Sequence, residues 1–186
     1  MPRAKTIEQF MIPLGKYPHI ADTGTLSEAI EKITHTQIVS ADGRKSLPRV
    51  LLVFGQKEGL VGLVRRRGIM RGLMPNFLME RRKGVRNAFW NFQVDANISE
   101  LSYDRIADRM NERALVHVRE VMIPVIATVN HDDHLIKAVN EVATHNTSIL
   151  PVLKGGNVIG VVRTVDLLHE ISLLIKQDKA NQTAES

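Results

Sequence analysis

The sequence predicts an α+β fold built from one unit used twice, and three returns of pattern carry that reading. Met11-Ile12-Pro13 comes back as Met122-Ile123-Pro124. The stripe Leu26, Ala29, Ile30, Ile33 comes back as Leu135, Ala138, Val139, Val142, with the i, i+3, i+4, i+7 spacing of an amphipathic helix. Leu60-Val61-Gly62-Leu63-Val64-Arg65 comes back as Val158-Ile159-Gly160-Val161-Val162-Arg163, followed by Ile69, Met70, Leu73 as Leu167, Leu168, Ile171. Order and spacing hold within each block, so the chain is a pseudo-symmetric pair with a seam between the copies. A unit of roughly 60 residues buries too little surface to stand alone, so the copies must pack on each other.

Each copy reads as strand or loop, helix, strand, turn, strand, helix. In the second, Ile126 to Val129 is extended and Leu135 to Thr144 is the amphipathic helix. Ser148 to Leu153 and Val158 to Val162 are paired strands. Lys154-Gly155-Gly156-Asn157 joins them, because adjacent Gly and Asn tolerate positive φ. Asp166 opens a last helix with Leu167, Leu168, Ile171, Leu174 and Ile175 inward. The first copy starts its helix with the capping-box pattern Thr25-Leu26-Ser27-Glu28. It is longer by two residues after Pro13, nine around Ser40-Ala41-Asp42-Gly43-Arg44-Lys45, and two in the hairpin. The nine are polar and predict an exposed loop.

The domain division that follows is 1–74, an insert at 75–117, 118–175, and a polar tail at 176–186, read as disordered. The insert holds Phe77, Phe89, Trp90, Phe92 and Tyr103, five of the eight aromatics. A flexible tether would not concentrate aromatics in this way. Ser102 is placed to cap a helix carrying Tyr103, Ile106, Ala107 and Met110 on one face. The insert is therefore read as folded and docked, on its own pair or on a second copy.

Composition narrows the class. The 186 residues are 44% hydrophobic and only 4% aromatic, so aliphatic side chains fill the core. The absence of cysteine excludes a disulfide framework and thiolate metal sites. The start Met-Pro-Arg-Ala-Lys lacks the apolar run of a signal peptide, and no run is long enough to span a membrane. A soluble, cytoplasmic protein is expected. The net charge of +5 is uneven. Arg65, Arg66, Arg67, Arg71, Arg81, Arg82, Lys83 and Arg86 face one acid, Glu80, between residues 65 and 86, which points to an anionic partner.

The repeat resembles the cystathionine-β-synthase-type (CBS) domain. The residues that carry the resemblance are Val121-Met122-Ile123-Pro124, Leu135 to Val142, Leu150-Pro151-Val152, and Val158 through Leu168. The first copy is looser, with Leu51 where the family often has proline, and the insert is not explained. The resemblance implies β-α-β-β-α units packed sheet to sheet with pseudo-twofold symmetry, as a Bateman module. It also implies clefts that bind adenine nucleotides or related adenosyl ligands, and a regulatory role without catalysis.

In the family a Gly-apolar-apolar-Thr/Ser-x-x-Asp stretch serves ribose and phosphate. Here it reads Gly160-Val161-Val162-Arg163-Thr164-Val165-Asp166. Asp166 either accepts the ribose hydroxyls or caps the last helix. Arg163 stands at the threonine position and either pairs with phosphate or makes a surface salt bridge. Thr164 could supply the missing hydroxyl. Val125, Ile126, Ala127, Ile149 and Pro151 match the adenine slot, or are plain core aliphatics. In the first copy Gly68 replaces the aspartate, so that cleft is empty, weak or differently used. Arg65, Arg66 and Arg67 either reach across the seam to phosphates or form a solvated basic turn.

His131-Asp132-Asp133-His134, with His145, lies before a helix where polar caps are expected, so no metal is assigned. No nucleophile stands with a base, no Walker loop or dinucleotide fingerprint appears, and no cofactor is required. AMP, ADP, ATP and S-adenosylmethionine all stay open as ligands, a homodimer is expected, and the regulated protein partner is not identified. Two other readings stay beside the regulatory one. The basic cluster next to Phe89, Trp90 and Phe92 suits single-stranded nucleic acid, and a degenerate pair would serve as a dimerisation scaffold.

Overall fold

The structure is a computed structural model and describes residues 5–40, 42–57, 59–74 and 103–184. In chain order these form β1 (Ile12–Pro13), β2 (His19–Ala21), α1 (Leu26–His35), β3 (Ile38–Val39), β4 (Lys45–Ser46), β5 (Val50–Gly55) and β6 (Gly59–Arg65). Then come α2 (Arg66–Leu73), α3 (Tyr103–Ala114), β7 (Val129–Asn130), α4 (Leu135–His145), β8 (Ile149–Lys154), β9 (Asn157–Arg163) and α5 (Thr164–Ala184).

Strand alternation builds a layered core. One sheet has the order β2-β5-β6 and the other β1-β9-β8-β7. Val50, Leu52 and Leu63 of the first sheet meet Ile149, Val161 and Ile12 of the second in one buried cluster, which is the seam. The alternate residues Leu51, Val53 and Val64 face α1 and α2 with Leu26, Ala29, Ile33 and Ile69. Leu150, Val152 and Val162 likewise face Leu135, Ala138 and Leu167. β5 and β8 are buried on both faces, so they read as unbroken apolar runs instead of alternating ones. Both capping-box bonds of α1 form, Glu28 N–H to Thr25 Oγ1 at 3.2 Å and Thr25 N–H to Glu28 Oε2 at 3.0 Å. Gly155 and Gly156 have φ of 56° and 80°, the turn the sequence predicts.

The segment ahead of each repeat packs into the other repeat. Ile7 and Phe10 lie in the second repeat's core, and β1 pairs with β9 through Ile12–Val161 and Pro13–Gly160. In return Val118 is buried in the first repeat's core, with Leu63 and Ile123 exchanging backbone bonds of 2.9 Å each way. The helix starts follow the same exchange: Leu26 N–H donates to Val116 O, and Leu135 N–H to Lys5 O. The divisions 1–74 and 118–175 therefore follow the repeat but not the packing. The exchange gives Gly62 and Gly160 their role. A Cβ on Gly160 would lie 2.5 Å from Ile12 O, and one on Gly62 would lie 3.0 Å from Ile123 O.

Other sequence expectations shift. Strand register matches Val50 with Ile149 and Gly62 with Gly160. The long loop therefore carries ten extra residues and the hairpin one, and Leu52, not Leu51, answers Pro151. α5 continues to Ala184, through the tail read as disordered. Of the five α5 residues expected inward, Leu167 alone is fully buried. Leu168, Leu174 and Ile175 are exposed, because the helix shows one stripe to the core and these fall outside it. α3 covers α1 and α2, with Arg113 Nε donating to Gly72 O at 2.9 Å near the α2 C-terminus. Ser102, Phe77, Phe89, Trp90, Phe92, Arg81, Arg82, Lys83 and Arg86 lie outside the described residues.

Gly160→Ala should cost about 1–3 kcal/mol in urea denaturation, the usual range for overpacking against atoms that cannot move aside. Gly15→Ala, with no atom within 4 Å of its added Cβ, should change little.

Candidate functional site

The site grows from the β9–α5 corner. β9 ends at Arg163, and α5 starts one residue later with Asp166 in its first turn. Asp166 is not the N-cap itself. It sits three residues into the corner and reaches back, its Oδ2 accepting from the Arg163 backbone N–H at 3.4 Å. The Arg163 guanidinium grips both carboxylate oxygens, Nε to Oδ2 and Nη2 to Oδ1, each at 2.7 Å. The two side chains are only 12% and 6% exposed. This is a buried bidentate pair and not a surface salt bridge.

The remaining partners come from the other repeat. Ser40 Oγ donates to Asp166 Oδ1 at 3.2 Å and accepts from Arg163 Nη2 at 2.6 Å. Arg163 Nη1 donates to Ser46 Oγ at 2.7 Å. Ser40 and Ser46 flank the turn of the β3–β4 hairpin, where Gly43 takes a φ of 81°. The inserted loop docks on the second repeat through Ser40, which is buried, while Asp42 to Lys45 stay exposed as expected. A second contact secures it: His169 Nε2 lies 3.1 Å from Asp42 Oδ2, and Asp42 also pairs with Arg44. Desolvation raises the Asp42 carboxyl, but the Arg44 hydrogen bonds and charge outweigh it and hold the group below its ordinary range.

Tyr17 closes the seam side. Its hydroxyl donates to Val50 O at 2.9 Å. Burial pushes this phenol well above its usual range, with Arg163 pulling it down and Asp166 pushing it up. Between the hairpin and α5 the space is about 10 Å³, bounded by Phe10, Ser40, Asp166 and Glu170, which is room for about one water. A wider groove of about 390 Å³ is lined by Lys16, Tyr17, Pro18, His19, Thr36 and Val39, a volume in the range of small-molecule sites. It shares Tyr17 with the surroundings of Asp166, and Val39 adjoins Ser40.

The sequence put the apolar slot and the aspartate on one repeat, and the structure also brings residues of the first repeat to the aspartate. Asp166 meets Ser40 and lies near Tyr17, both from the first repeat, because the pseudo-twofold axis faces each β–α corner toward the opposite copy. Ile149 and Val125 belong to the seam cluster, Ala127 packs on the second core, Pro151 is buried in β8, and Ile126 is half-exposed. Ile149 and Pro151 are both buried in β8. Thr164 Oγ1 lies 3.5 Å from Ser148 O and does not take over the Asp166 contacts. Arg66 Nε donates to Pro48 O at 2.9 Å, and the cation beside Asp166 is Arg163. Arg65, Arg66 and Arg67 lie at the β6–α2 corner of the first repeat, ahead of Gly68.

The polar run before α4 has structural work. Asp133 accepts from Asn130 N–H at 2.7 Å and pairs with Lys137, which hold its carboxyl low against the raising effect of burial. His131 Nδ1 meets Glu8 Oε2 at 3.2 Å, tying the N-terminal segment to the second repeat. Ser40 and Ser46 are the residues that sequence reasoning missed. The insert's length marked a difference, but nothing local showed where it docks.

Residues 118–173 match the family model of the CBS domain. No curated protein matches the chain in sequence. Among solved structures, a CBS domain-containing protein from Kribbella flavida is 17% identical, covers 90% of this chain and 98% of its own, and gives a TM-score of 0.64. CBSX2 from Arabidopsis thaliana, a CBS-pair protein, is 16% identical over 94% and 99% of the two chains, with a TM-score of 0.59. CBSX2 in complex with AMP is 16% identical over 92% and 98%, with a TM-score of 0.57. Among the described residues no helix is long and apolar enough to cross a membrane.

Asp166→Ala should destabilise the protein by about 3–5 kcal/mol, because it strands a buried guanidinium. The double replacement Arg163→Met with Asp166→Leu should recover most of that loss, read by chemical denaturation.

Proposed function

We propose that this chain, whose residues 118–173 match the CBS-domain model and whose fold is that of CBS-pair proteins, is a non-catalytic regulatory module that binds an adenine nucleotide or related adenosyl ligand at Asp166. The observation that carries this is the hydroxyl of Ser40 on Asp166 Oδ1. A ribose hydroxyl is the same donor, so a ligand can replace the hairpin without leaving the carboxylate unsatisfied. The base would enter the groove beside Tyr17, Pro18 and Val39, and Arg163 would turn toward phosphate. The AMP complex of CBSX2 is consistent with this class of ligand.

Releasing Ser40 and Ser46 would free the β3–β4 hairpin, giving a partner protein a surface that depends on the ligand. The ligand shifts that equilibrium only by the difference in its affinity for the two hairpin positions. A homodimer fits the same reading, since Met70 and Leu168 are exposed at matching positions of α2 and α5. A second reading has its own support. Arg163 and Ser40 already fill the Asp166 oxygens, as a scaffold without a ligand would require. The aromatics and half the cations of the nucleic-acid reading lie outside the described residues.

Titration calorimetry with AMP, ADP, ATP and S-adenosylmethionine separates these readings. At least one should bind, and Asp166→Asn should weaken it roughly 10–100-fold, the equivalent of one or two charged hydrogen bonds. Equal affinity in the variant contradicts the ribose role. Binding of none favours the scaffold.

A further inference from the structure

The β3–β4 hairpin is held on the second repeat at two points that differ in chemistry. At its base, Arg163 donates to Ser40 Oγ at 2.6 Å and to Ser46 Oγ at 2.7 Å. Arginine keeps its charge at any ordinary pH, so this contact does not titrate. At the turn the partner is His169, whose Nε2 lies 3.1 Å from Asp42 Oδ2. The two side chains are 30% and 22% exposed, so salt and solvent screen the pair only in part. The other repeat offers a comparison. The equivalent position on α2 is Arg71, which is exposed. Only residues 146–148 join α4 to β8, so there is no second hairpin for it to hold. The titratable side chain stands where a hairpin is docked.

The charged groups around His169 come from every element packed at this corner. From the hairpin, Asp42 also receives Arg44, through its backbone N–H at 3.2 Å and through its side chain. From α5 and β9, Asp166 is matched by Arg163. Glu170 is matched by Lys5 of the N-terminal segment at 2.7 Å. Phe10 and Ser40 complete the lining of the small cavity between them. Each carboxylate thus has a cation that keeps its charge near neutral pH. An imidazole is the only side-chain type in this set that changes charge between about pH 5 and 8. Asp42, held below its ordinary range, stays ionised across that window. We propose that His169 is a pH-responsive latch for the hairpin: the imidazolium holds Asp42 and keeps the Asp166 corner closed, and the neutral ring loosens that hold. The added attraction is present in full at low pH and is lost as pH rises through the imidazole range. The latch needs no ligand at Asp166, so it does not rest on the adenosyl reading.

Tryptic cleavage of the full-length chain after Arg44 or Lys45 reads hairpin release, since cleavage follows the population of the opened segment when opening is fast. Rates are taken relative to a synthetic peptide of residues 36–49 at each pH, which removes the protease's own pH dependence. The wild type should become about fivefold easier to cut as pH rises from about 5.5 to about 8, the equivalent of a salt bridge at the upper end of the range for exposed pairs. His169→Gln should be cut at one rate across that window, close to the wild type's high-pH rate. Asp42→Asn should lose the pH response as well. His131→Gln, which removes the histidine paired with Glu8, should keep it. Wild-type cleavage that does not change with pH overturns the proposal. So does a full response in His169→Gln or in Asp42→Asn, or its loss in His131→Gln.

Discussion

Two short stretches of backbone, Met11-Ile12-Pro13 and Met122-Ile123-Pro124, each lie against the glycine of the opposite repeat, and the rest of the molecule is positioned by that crossing. The contacts are carbonyl oxygens closing on Gly160 and Gly62, with backbone bonds joining Leu63 to Ile123 and β1 to β9. Each repeat buries a core completed by the other's leading segment, Ile7 and Phe10 in one direction and Val118 in the other. Units this small gain the burial they lack singly. Because the sheets are held face to face in this way, each strand–helix corner looks across the seam, and Asp166 comes to sit against Ser40.

The parts of the fold visible in the sequence were those with a local cause. Helix spacing marked α1 and α4, Thr25 and Glu28 announced a cap, and Gly155-Gly156 announced a turn. The duplication itself gave the seam. What stayed hidden needed contacts between residues far apart in the chain. Nothing within Lys5 to Pro13 says that it belongs to the second core. Nothing within Ser40 to Ser46 says that a polar insert will bury a serine on a carboxylate 126 positions away. Leu168 and Ile175 passed as core residues because periodicity marks a face without saying how wide a stripe the partner covers. The site residue Asp166 was found by resemblance, and Arg163 was visible as a departure from it. The pairing of the two could not be seen, since i, i+3 spacing permits a bond without requiring one.

The scaffold keeps its symmetry while the clefts diverge. Arg65 and Arg163 occupy equivalent positions on equivalent strands, yet one stands by a glycine and the other by an aspartate, a serine pair and a docked hairpin. An insertion in one repeat supplies that difference, and it costs the fold little because it leaves the packed faces of α1 and β5 unchanged. One corner is closed and internally satisfied, and the other carries a glycine in place of the carboxylate.

The dependence of the whole on the crossed segments is open to direct measurement by native-state hydrogen exchange. The amides of Leu63 and Ile123, which bond each other's carbonyls across the exchange, should open only with global unfolding, in the same slow class as the β5 and β8 amides. Exchange of that pair through a local opening, well before β5 and β8, would show that the segments peel away from intact repeats and would contradict the account.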